Sequence, residues 1–588
     1  MRIATINYDR CHPKKCNHEC QYYCPVQRNG VEVVIFGKDG KPNIEENVCV
    51  GCGICANKCP FEAIKIINLP DEFTKEVIHQ YGENGFRMFR IATPSAGNIV
   101  GILGMNGIGK STVINILAGK TIPNFGKFDE PPSWDRVIEY YRGTNIQDYF
   151  KKLSKGQIRV SYKRQYVNTL LDEFHGNVGD YLGSFNKNLN DIINIFPHLD
   201  YLLNRDMESL SGGELQLMEI AKTIAKEADI YFFDEPSSYL DISQRLNMVD
   251  KIRDMLKDKM VIVVEHDLAI LDALADMCHI MFGVPTSYGI VSHPQGIKHA
   301  INMFLLGYLK EENVKIRNME IRFDTTAPHS DWKGEVYFTY GNLKKKYTSF
   351  ELEVKSGSIK KGEVIGIVGP NSIGKTTFVK MLANVEKPDE GKLIENFTVS
   401  YKPQYIKADI DSTVEQVISS IKMGELQKHL LESDIIPMLD MNSLYHVNIK
   451  SLSGGEMQTV AIALTLLRNA DLYLLDEPSA YLDANQRMEA AKLIRRVMEK
   501  RNSSAFVVEH DVYFLDLVSD SIMVFSGIPG KKGYAEGPFS MKEGMSKFLK
   551  NIDVSFRRDE ETKRPRINKK GSVLDREQKA RGELYYVQ

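Results

Sequence analysis

Short, strongly apolar runs recur along this chain, each followed by glycine or by an acidic residue. Six of them form two similar series: Ile99–Leu103, Ile230–Phe233 and Val261–Val264 in the first half, and Val364–Val368, Leu472–Leu475 and Ala505–Val508 in the second. Apolar runs of this length predict buried strands, whereas the pattern of Thr112–Ala118 predicts a helix. We therefore expect an α/β fold in which one architecture occurs twice.

Length and composition narrow the class of protein. With 588 residues the chain is too long for one hydrophobic core, and about three to five domains are expected. Hydrophobic residues make up 43% and charged residues 26%, and the formal net charge of −2 excludes a uniformly basic nucleic-acid coat. The apolar runs are far shorter than the roughly 18–20 residues that span a bilayer.

The N-terminal residues and the cysteine content indicate a compartment. Residues 1–10 contain no apolar segment of a secretory signal, so we expect a protein of the reducing cytoplasm. Clustered cysteines in that compartment favour metal over disulfides. Cys278 stands alone in an apolar stretch, and we interpret it as a packed core residue.

Eight of the nine cysteines lie within residues 11–59, in two runs that each end in Cys-Pro. The second run has the C-x2-C-x2-C-x3-C-P spacing of bacterial ferredoxins, in which the cysteine before proline ligates the opposite cluster, and the first run has wider gaps. The ligands expected for one [4Fe–4S] cluster are Cys11, Cys16, Cys20 and Cys59. Those expected for the other are Cys49, Cys52, Cys55 and Cys24. A pair of four-cysteine zinc sites is the alternative.

A glycine-rich loop follows the first strand of each series. Gly104-Met-Asn-Gly-Ile-Gly-Lys110-Ser111 and, in the second half, Gly369-Pro-Asn-Ser-Ile-Gly-Lys375-Thr376 match the P-loop pattern. Backbone N–H groups of such a loop wrap phosphates, the lysine neutralises their charge, and the final hydroxyl can ligate Mg²⁺. Ser372 stands where the first loop has Gly107, which costs about 1 kcal/mol if that backbone is left-handed.

Acidic pairs end the second strand of each series. Asp234-Glu235 and Asp476-Glu477 stand where an α/β sheet binds its ligand, so the aspartate can hold Mg²⁺ and the glutamate can polarise water. His266 and His510 follow the third strands, where a histidine can sense a γ-phosphate.

A Leu-Ser-Gly-Gly-Glu run precedes each acidic pair. The two runs begin at Leu210 and Leu452, and the interval from their serine to the glutamate of the acidic pair is the same in both halves. A helix N-terminus that bears Ser-Gly-Gly is a second anion-binding element. The same elements in the same order thus occur twice.

Aromatic residues precede each P-loop. Tyr81 and Phe86 stand before the first, and Phe350 or Tyr340 before the second. These rings can stack on adenine or belong to the hydrophobic core, and the sequence leaves both interpretations open.

The first half carries an insertion between its P-loop and the following glutamine. The interval from Lys110 to Gln165 is nearly twice as long as that from Lys375 to Gln404. Two amphipathic helices are predicted within the insertion, over 134–141 and 146–153.

The insertion and two later segments are basic. Residues 134–164 hold eight Lys/Arg against three Asp/Glu, so we interpret the helix–loop–helix as a grip for an RNA backbone, with a solvated charged face as the alternative. Residues 296–323 and 542–588 show no long periodic apolar pattern, and we expect ordered linkers across the two halves, with disorder of about the last fifteen residues as the alternative.

These motifs resemble those of the ATP-binding-cassette ATPases over roughly residues 75–540. The resemblance implies catalytic bases at Glu235 and Glu477 and switch histidines at His266 and His510. Candidate nucleotide-binding residues of the first half are Tyr81, Phe86, Gly104, Asn106, Gly107, Gly109, Lys110, Ser111, Thr112, Gln165, Ser211, Gly213 and Asp234. Those of the second half are Gly369, Asn371, Gly374, Lys375, Thr376, Thr377, Gln404, Ser453, Gly455 and Asp476. The Mg²⁺ ligands expected are Ser111, Gln165, Thr376 and Gln404.

The same resemblance implies how the halves meet. In that family two cassettes close head to tail, and each ATP is held between one P-loop and the other cassette's Ser-Gly-Gly motif. Lys110 would share its nucleotide with Ser453 and Gly455, and Lys375 with Ser211 and Gly213. The D-loops would end in Asp241 and Asp483.

The whole chain resembles subfamily E of the cassette proteins, the ribonuclease L inhibitor family of ribosome-recycling ATPases. The residues that carry this resemblance are the eight cysteines, both Leu-Ser-Gly-Gly-Glu runs, and the Asp-Glu-Pro-Ser-Ser-Tyr-Leu-Asp and Asp-Glu-Pro-Ser-Ala-Tyr-Leu-Asp runs that end at Asp241 and Asp483. It implies a cytoplasmic monomer that binds small-subunit rRNA and proteins next to a release factor, with initiation factors as further partners. ATP, Mg²⁺ and two [4Fe–4S] clusters are the implied cofactors.

The expected domains follow from these motifs. They are a ferredoxin-like α+β iron–sulfur domain at 1–72, a nucleotide-binding domain at 73–300 with the insertion at about 130–155, a hinge at 301–330, a second nucleotide-binding domain at 331–541 and a second hinge at 542–588. ATP is expected to close the two cassettes and to swing the iron–sulfur domain as a lever that splits ribosomes, and hydrolysis to reopen them.

Other functions stay open at this point. The motor subunit of a transporter would share the cassettes but would need a membrane partner. A redox-sensing ATPase would use the clusters as a wire. A chromosome-type ATPase would need long heptads between its motifs, and the sequence contains none.

Overall fold

The computed structural model of this protein describes residues 2–68, 77–128, 130–165, 169–184, 189–317, 320–323, 334–393, 397–404, 406 and 410–585. This part of the chain forms a small N-terminal head, two similar α/β lobes and a C-terminal segment that contacts both lobes. None of the helices within it combines the length and the apolar character needed to span a bilayer.

The head is built on two short antiparallel sheets. The paired strands are Arg2–Ile6 with Ile64–Asn68 and Val34–Phe36 with Pro42–Ile44. Its helices are Glu19–Tyr22, Pro25–Arg28 and Ile54–Lys58. The small core includes the side chains of Cys20 and Cys55. A core of this size needs additional cross-linking to be stable, and thiols that bind a cluster would supply it.

The first lobe is a nine-stranded sheet with helices on both faces. In sheet order its strands are Val77–Gln80, Arg87–Phe89, Tyr288–Val291, Met277–Val284, Ile99–Gly104, Met260–Val264, Ile230–Asp234 and Val160–Lys163, with Gln295–Gly296 paired to Met277–Val284. The five consecutive strands from Met277–Val284 to Val160–Lys163 run parallel to one another. Its helices are Lys110–Leu117, Trp134–Tyr140, Ile146–Ser154, Thr169–Glu173, Val178–Gly183, Leu189–Ile195, Gly212–Ala225, Ile242–Met255, Leu268–Leu274 and Ile297–Leu306.

The second lobe repeats this sheet with eight strands. In order they are Leu343–Lys346, Glu351–Val354, Lys532–Ser540, Ser521–Ile528, Val364–Val368, Ser504–Val508, Leu472–Asp476 and Val399–Lys402, and Val336–Tyr340 pairs separately with Gly357–Lys360. Its helices are Lys375–Leu382, Val414–Ser420, Glu425–Leu430, Ile436–Met438, Gly454–Leu467, Ala484–Arg501, Val512–Val518 and Met541–Asn551, with a π-turn at Leu431–Ile435. The central strands of both lobes are buried along their whole length because helices cover both faces of each sheet.

The insertion forms two helices at the predicted positions. Trp134–Tyr140 and Ile146–Ser154 pack against each other around Phe150, which is fully buried. Its ring lies 5.9 Å from that of Trp134 and 5.3 Å from that of Tyr141. This aromatic core holds the helix–loop–helix as a rigid projection of the first lobe.

The C-terminal segment contains regular structure beyond the second lobe. It forms a hairpin of Phe556–Arg558 with Pro565–Ile567, followed by the helix Val573–Arg581. Two of the expected domain boundaries fall inside helices, Ile297–Leu306 and Met541–Asn551. The sequence analysis did not identify the short helix at the start of this region, in which Met541, Met545, Phe548 and Leu549 form one buried face. The boundary at residue 72 and parts of the first hinge, at 318–319 and 324–330, lie outside the described residues.

Buried polar contacts fasten the head to the first lobe. Asn84 is fully buried, its Nδ2 donates to the carbonyl oxygen of Ile44 at 2.9 Å, and its own carbonyl accepts the N–H of Ile6 at 2.9 Å. Thr5 Oγ1 donates to Ser287 Oγ at 2.8 Å. Because an unpaired buried polar group is costly, these bonds hold the head in one orientation on this lobe.

Candidate functional site: two nucleotide sites on a shared seam

Both P-loops enclose their own lysine. Lys110 follows Gly109, whose φ of 98° suits only glycine. Its Nζ donates to the carbonyl oxygens of Gly104 and Met105, each at 2.9 Å, and Lys375 makes the equivalent two bonds in the second loop. Burial lowers the pKa of both lysines. A buried cation bonded mainly to carbonyl oxygens favours the arrival of an anionic triphosphate.

Ser372, which stands in the second P-loop where the first has glycine, has a left-handed backbone. Ser372 has a φ of 56°, and Gly107 at the matching position has 72°. The carbonyl of Ser372 accepts the N–H of Gly530 at 2.8 Å, and that of Gly107 accepts the N–H of Thr286 at 2.9 Å. The two loops therefore have the same shape, and the serine bears the expected cost of about 1 kcal/mol.

The aspartates of the acidic pairs are buried at the carboxyl ends of central parallel strands. Burial, and after it the charge of the adjacent glutamate, raises the pKa of Asp234 and Asp476 to about 6. The buried carboxylate of Asp476 lies beside the hydroxyl of Thr376. Buried carboxylate oxygens of this kind fit a bound cation, so Asp476 with Thr376, and Asp234 with Ser111, would hold Mg²⁺.

Glu235 lies between a glutamine and a histidine. Gln165 Nε2 donates to Glu235 Oε1 at 2.6 Å, and His266 Nε2 lies 3.5 Å from the same oxygen. Burial acts to raise the pKa of Glu235, but the hydrogen bond and charge of His266 and the charges of Lys110 and Arg487 outweigh it and hold the pKa at about 2. The side chain is therefore an ionised base at neutral pH.

Glu477 has the same surroundings in the second half. Gln404 Nε2 donates to Glu477 Oε1 at 2.8 Å, and His510 Nε2 lies 3.8 Å from it. Burial, ahead of the charge of Lys375, lowers the pKa of His510 well below its usual value, so this histidine is neutral. In both halves the amide nitrogen of the glutamine is engaged, and its amide oxygen is the atom that would reach Mg²⁺.

Two buried lysines to which the sequence pattern assigned no role support these turns. Lys163 Nζ donates to the carbonyl oxygens of Asp234 at 2.9 Å and Glu235 at 3.3 Å, and Lys402 makes the equivalent bonds at 2.9 and 3.4 Å. Each lysine stands at the same position relative to the glutamine of its half, separated from it by a single residue. That repeated position is the sequence feature that could have identified the two lysines.

Each Ser-Gly-Gly motif begins a helix that we call a signature helix, Gly212–Ala225 in the first lobe and Gly454–Leu467 in the second. Ser211 and Ser453 are their N-caps, and in both a reciprocal capping box joins the serine to the glutamate that follows the glycines. The N-terminal turn of each helix presents backbone N–H groups that can bind an anion.

Each lobe completes the P-loop of the other. The backbone N–H of Asn106 donates to Asp483 Oδ2, and that of Asn371 donates to Asp241 Oδ2, each at 2.9 Å. Asn371 Nδ2 also donates to the carbonyl oxygen of Tyr239 at 3.0 Å. These reciprocal bonds place each P-loop opposite the signature helix of the other lobe.

A cavity of about 2060 Å³ follows this seam and brings most of the candidate residues together. Those that line it are Tyr81, Phe86, Asn106, Gly107, Gly109, Lys110, Ser111, Thr112, Gln165, Ser211, Gly213, Asp234, Glu235, Asn371, Gly374, Lys375, Thr376, Thr377, Gln404, Ser453, Gly455, Glu477 and His510. Four others contact residues of the lining: Gly104, Gly369, Asp476 and His266.

The aromatic candidates separate into two groups. Tyr81 is 47% exposed, and Phe86 and Phe350 lie against the last glycine of their P-loops. Tyr340 is 2% exposed and packs against Phe378 in the core of the second lobe. Tyr340 is therefore a core residue, and the alternative that it stacks on adenine was wrong.

Tyr347 is a further candidate that the sequence pattern did not single out. Its side chain is 44% exposed and hydrogen-bonds with Thr377, and in the first lobe the hydroxyl of Tyr81 lies 3.3 Å from Thr112 Oγ1. The two tyrosines precede their P-loop lysines by nearly the same interval. This matching offset was the signal that could have identified Tyr347.

The eight head cysteines form two mixed sets. Cys59 of the second run lies close to Cys11, Cys16 and Cys20 of the first run. Cys24 of the first run lies close to Cys49, Cys52 and Cys55 of the second run. Burial raises the pKa of Cys20 to about 12 and that of Cys55 to about 11.

The chemistry of these thiols fits clusters. Cys24, Cys49, Cys52 and Cys55 surround a small cavity, and the N–H of Ala63 donates to Cys59 Sγ at 3.4 Å, a bond that suits a cluster ligand. No three His, Cys, Asp or Glu side chains of the described residues converge as the ligands of a single ion do. Cys278 is fully buried in the core of the first lobe, far along the chain from the head.

The insertion presents exposed positive charge. Arg142, Lys152 and Lys155 are exposed, whereas Arg136 and Lys151 pair with neighbouring acids. These exposed cations stand on the rigid aromatic core of the insertion.

Models of three protein families match this chain. The family described as "ABC transporter" matches residues 92–238 and 352–480. "Possible Fer4-like domain in RNase L inhibitor, RLI" matches residues 1–32, and "4Fe-4S binding domain" matches residues 42–65. The two lobes are thus ABC ATPase domains that bind ATP, and the head is an iron–sulfur domain.

Full-length relatives share this organisation. An ABC transporter ATP-binding protein of Methanocaldococcus jannaschii is 49% identical over 597 residues, which cover 100% of this chain and 98% of that protein. The translation initiation factor RLI1 of Saccharomyces cerevisiae is 43% identical over 599 residues, with the same coverage.

Solved structures show the same architecture. A chain of the structure of ribosome-bound archaeal Pelota and ABCE1 is 50% identical, with a TM-score of 0.92, and the match covers 100% of this chain and 99% of that one. A chain in the crystal structure of the complex of archaeal ribosomal stalk protein aP1 and archaeal ribosome recycling factor aABCE1 is also 50% identical, with a TM-score of 0.83, covering 87% of this chain and 99% of that one.

Proposed function

This chain belongs to the RNase L inhibitor family, subfamily E of the ATP-binding-cassette proteins, and from that premise we propose that it hydrolyses ATP to split ribosomes into subunits. The observation that carries the proposal is the reciprocal seam, in which Asp241 and Asp483 each bind the P-loop of the opposite lobe. Nucleotide bound there touches both lobes, so its binding and loss change how the lobes meet.

The seam contains two sites. The first site consists of Lys110 and Glu235 with Ser453 opposite, and the second of Lys375 and Glu477 with Ser211 opposite. In each, the lysine and the P-loop amides hold the phosphates, and the N-terminus of the opposite signature helix binds the γ-phosphate side. ATP thereby holds the lobes together, and hydrolysis releases them.

Glu235 and Glu477 act as the bases that orient the attacking water. The ionised state of Glu235, the glutamine bond to one oxygen of each carboxylate, and the position of both glutamates on the cavity support this role. Mg²⁺, when bound, neutralises phosphate charge at Asp234 and Asp476. His266 and His510, which lie beside the glutamates, stabilise the γ-phosphate.

The head acts as a lever. Eight cysteines in two mixed sets would hold two [4Fe–4S] clusters, which rigidify a domain whose own core is small. A rigid head transmits the motion of the lobes to whatever it touches. In this role the clusters are structural.

The partner is the ribosome of the cytoplasm. A similar chain of known structure is bound to the ribosome with Pelota, and another to the stalk protein aP1. The exposed cations of the insertion support contact with small-subunit rRNA, and a release factor stands beside the head. An initiation factor is a further partner, as the name of the yeast relative suggests.

A subunit-splitting assay tests this function. Purified ribosomes with release factor and ATP are expected to separate on a sucrose gradient in the presence of the wild-type protein. Lys110→Ala and Lys375→Ala should each reduce splitting at least about tenfold, because each removes a phosphate-binding charge. Lys257→Ala, an exposed lysine of the first lobe away from the seam, is the matched control.

Two outcomes would remove the proposal. Ribosomes that stay joined with the wild-type protein would exclude splitting. Ribosomes that separate equally well with both P-loop variants would show that splitting does not depend on these ATP sites.

A further inference from the structure

Arg10 of the head reaches the signature helix of the second lobe. One guanidinium nitrogen donates to Glu456 Oε1 at 2.7 Å, and another donates to the carbonyl oxygen of Ser443 at 3.1 Å. The other oxygen of Glu456 accepts the N–H and the hydroxyl of Ser453, at 2.9 and 2.8 Å. Arg10 therefore binds the acid that holds the capping serine of the first site.

The first lobe makes the same contact from within itself. Glu214 Oε1 accepts Arg205 at 3.1 Å and the hydroxyl of Tyr201 at 2.9 Å, and its Oε2 accepts the N–H and the hydroxyl of Ser211. An arginine beside the capping acid is thus a feature of both signature helices. The two arginines differ in the domain that supplies them, which is the same lobe for Arg205 and the head for Arg10.

The second lobe has Val447 at the place of Arg205. The carbonyl of Val447 accepts the N–H of Val414 at 3.1 Å, as that of Arg205 accepts the N–H of Val178 at 3.0 Å, and both residues stand at the same interval before the capping acid. Valine has no side-chain donor. The role of Arg205 is filled in the second lobe by Arg10, which belongs to a different domain.

We propose that Arg10 is a positioning residue for the signature motif of the second lobe, and that it couples docking of the head to nucleotide binding at the first site. The inference rests on the proposed function, since it gives the moving head a direct contact with one of the two ATP sites. The second site differs, because the arginine that binds its capping acid, Arg205, belongs to the same lobe as that acid.

The coupling follows from linkage. A docked head orders Glu456, and Glu456 orders Ser453 for the γ-phosphate of the first site. A nucleotide held by Ser453 in turn orders the acid that Arg10 binds, so each event favours the other by the same factor. Arg10 and Glu456 are 23% and 29% exposed, and a partly exposed pair of this kind supports a coupling of about fivefold.

The test compares Arg10→Gln with its matched control Arg205→Gln. Affinity for a non-hydrolysable ATP analogue is measured for the first site in a Lys375→Ala background and for the second site in a Lys110→Ala background. Arg10→Gln should weaken the first site about fivefold and leave the second unchanged, and Arg205→Gln should do the reverse. Iron–sulfur absorption and thermal unfolding show whether each variant keeps its fold.

A rescue variant separates positioning from simple loss of structure. Val447→Arg, added to Arg10→Gln, gives the second lobe an arginine of its own and should restore affinity at the first site.

Some results would overturn the inference. The first is an affinity of the first site for the analogue that Arg10→Gln leaves unchanged. The second is an equal loss of affinity at both sites in Arg10→Gln. The third is an affinity of the first site that stays low when Val447→Arg is added. The binding measurements contain no ribosomes, so their failure leaves ribosome splitting untouched, and a failure to split ribosomes leaves these measurements valid.

Discussion

Strained residues occupy equivalent positions at the two sites. Glu235 and Glu477 have φ values of 47° and 46°, and Tyr239 and Tyr481 have 65° and 64°. A left-handed backbone costs these side chains about 1 kcal/mol or more each. Bonds such as those of Lys163 to the turn at Glu235 offset part of this cost. Strain that recurs at both bases indicates that the turn positions the carboxylate.

The serine of the second P-loop gives a stability prediction. Ser372→Gly should raise the free energy of unfolding of the second lobe by about 1 kcal/mol, because glycine adopts the left-handed backbone without a Cβ contact. The reverse change, Gly107→Ser, should destabilise the first lobe by a similar amount. Urea unfolding followed by lobe-specific fluorescence measures both, and a stability that Ser372→Gly leaves unchanged would contradict the assigned cost.

At the scale of elements, the C-terminal hairpin joins the two lobes. Arg564 is fully buried and donates to Asp272 at 3.0 Å and Asn302 at 3.1 Å in the first lobe and to Tyr513 at 2.6 Å in the second. Arg566 also binds Asp272, at 2.7 Å. The hairpin therefore acts as a polar clamp where the lobes would hinge.

Removal of the central cation should open this clamp. Arg564→Met is expected to destabilise the docked lobes by about 3 kcal/mol, since it removes the buried cation that bonds to Asp272 and Asn302 in one lobe and to Tyr513 in the other. Thermal unfolding and limited proteolysis within residues 556–567 measure the effect. Arg322→Met, at an exposed arginine of the first hinge, is the control and should change neither. Equal behaviour of the two variants would exclude a clamp.

At the scale of the whole molecule, buried charges meet on the seam between the lobes. Arg245 binds Asp267 at 2.6 Å in its own lobe and the carbonyl oxygen of His510 at 3.3 Å in the other. Arg487 binds Asp511 at 3.2 Å. The switch regions of the two sites are thus in contact through a shared charge cluster, which makes docking of the lobes sensitive to its protonation.

The pKa of Asp267 gives the direction of that sensitivity. Burial, and after it the charge of Asp511, raises this pKa from 3.8 to about 6 in the docked lobes. Asp267 keeps its bonds to Arg245 and Ala269 of its own lobe when the lobes separate, whereas the charge of Asp511 acts on it only in the docked state. The docked state therefore binds the proton more strongly than the separated state. Its contribution to docking is fully present below the pKa of the separated state and is lost as the pH rises through about 6.

Small-angle scattering without nucleotide should show this dependence. The protein is expected to be more compact at pH 5.5 than at pH 7.5. Asp511→Asn keeps the helix-capping oxygen but removes the charge, so it should weaken the pH dependence and favour docking at pH 7.5. Scattering profiles that are identical at both pH values in the wild-type protein would rule out this role of the cluster.

Local spacing predicted much of the candidate site. The P-loops, acidic pairs and capping serines depend on backbone shapes that a few neighbouring residues specify, and they lie together on the cavity. The helices at the hinge boundaries were missed because each is too short to give a clear periodic pattern. Adenine stacking by Tyr340 was one of two interpretations left open, because the sequence does not reveal which face of a sheet an aromatic residue of a strand occupies.

The sequence by itself determined the doubled α/β lobes, the phosphate-binding loops and the cysteine sets, since each follows from residues close together in the chain. Only the tertiary structure decided that Asn106 meets Asp483, that Arg10 serves Glu456 and that Arg564 clamps both lobes. Those pairs are far apart in the chain or join different domains, and their contacts depend on how whole domains dock. Docking is set by the summed complementarity of two surfaces, which no local pattern of residues encodes.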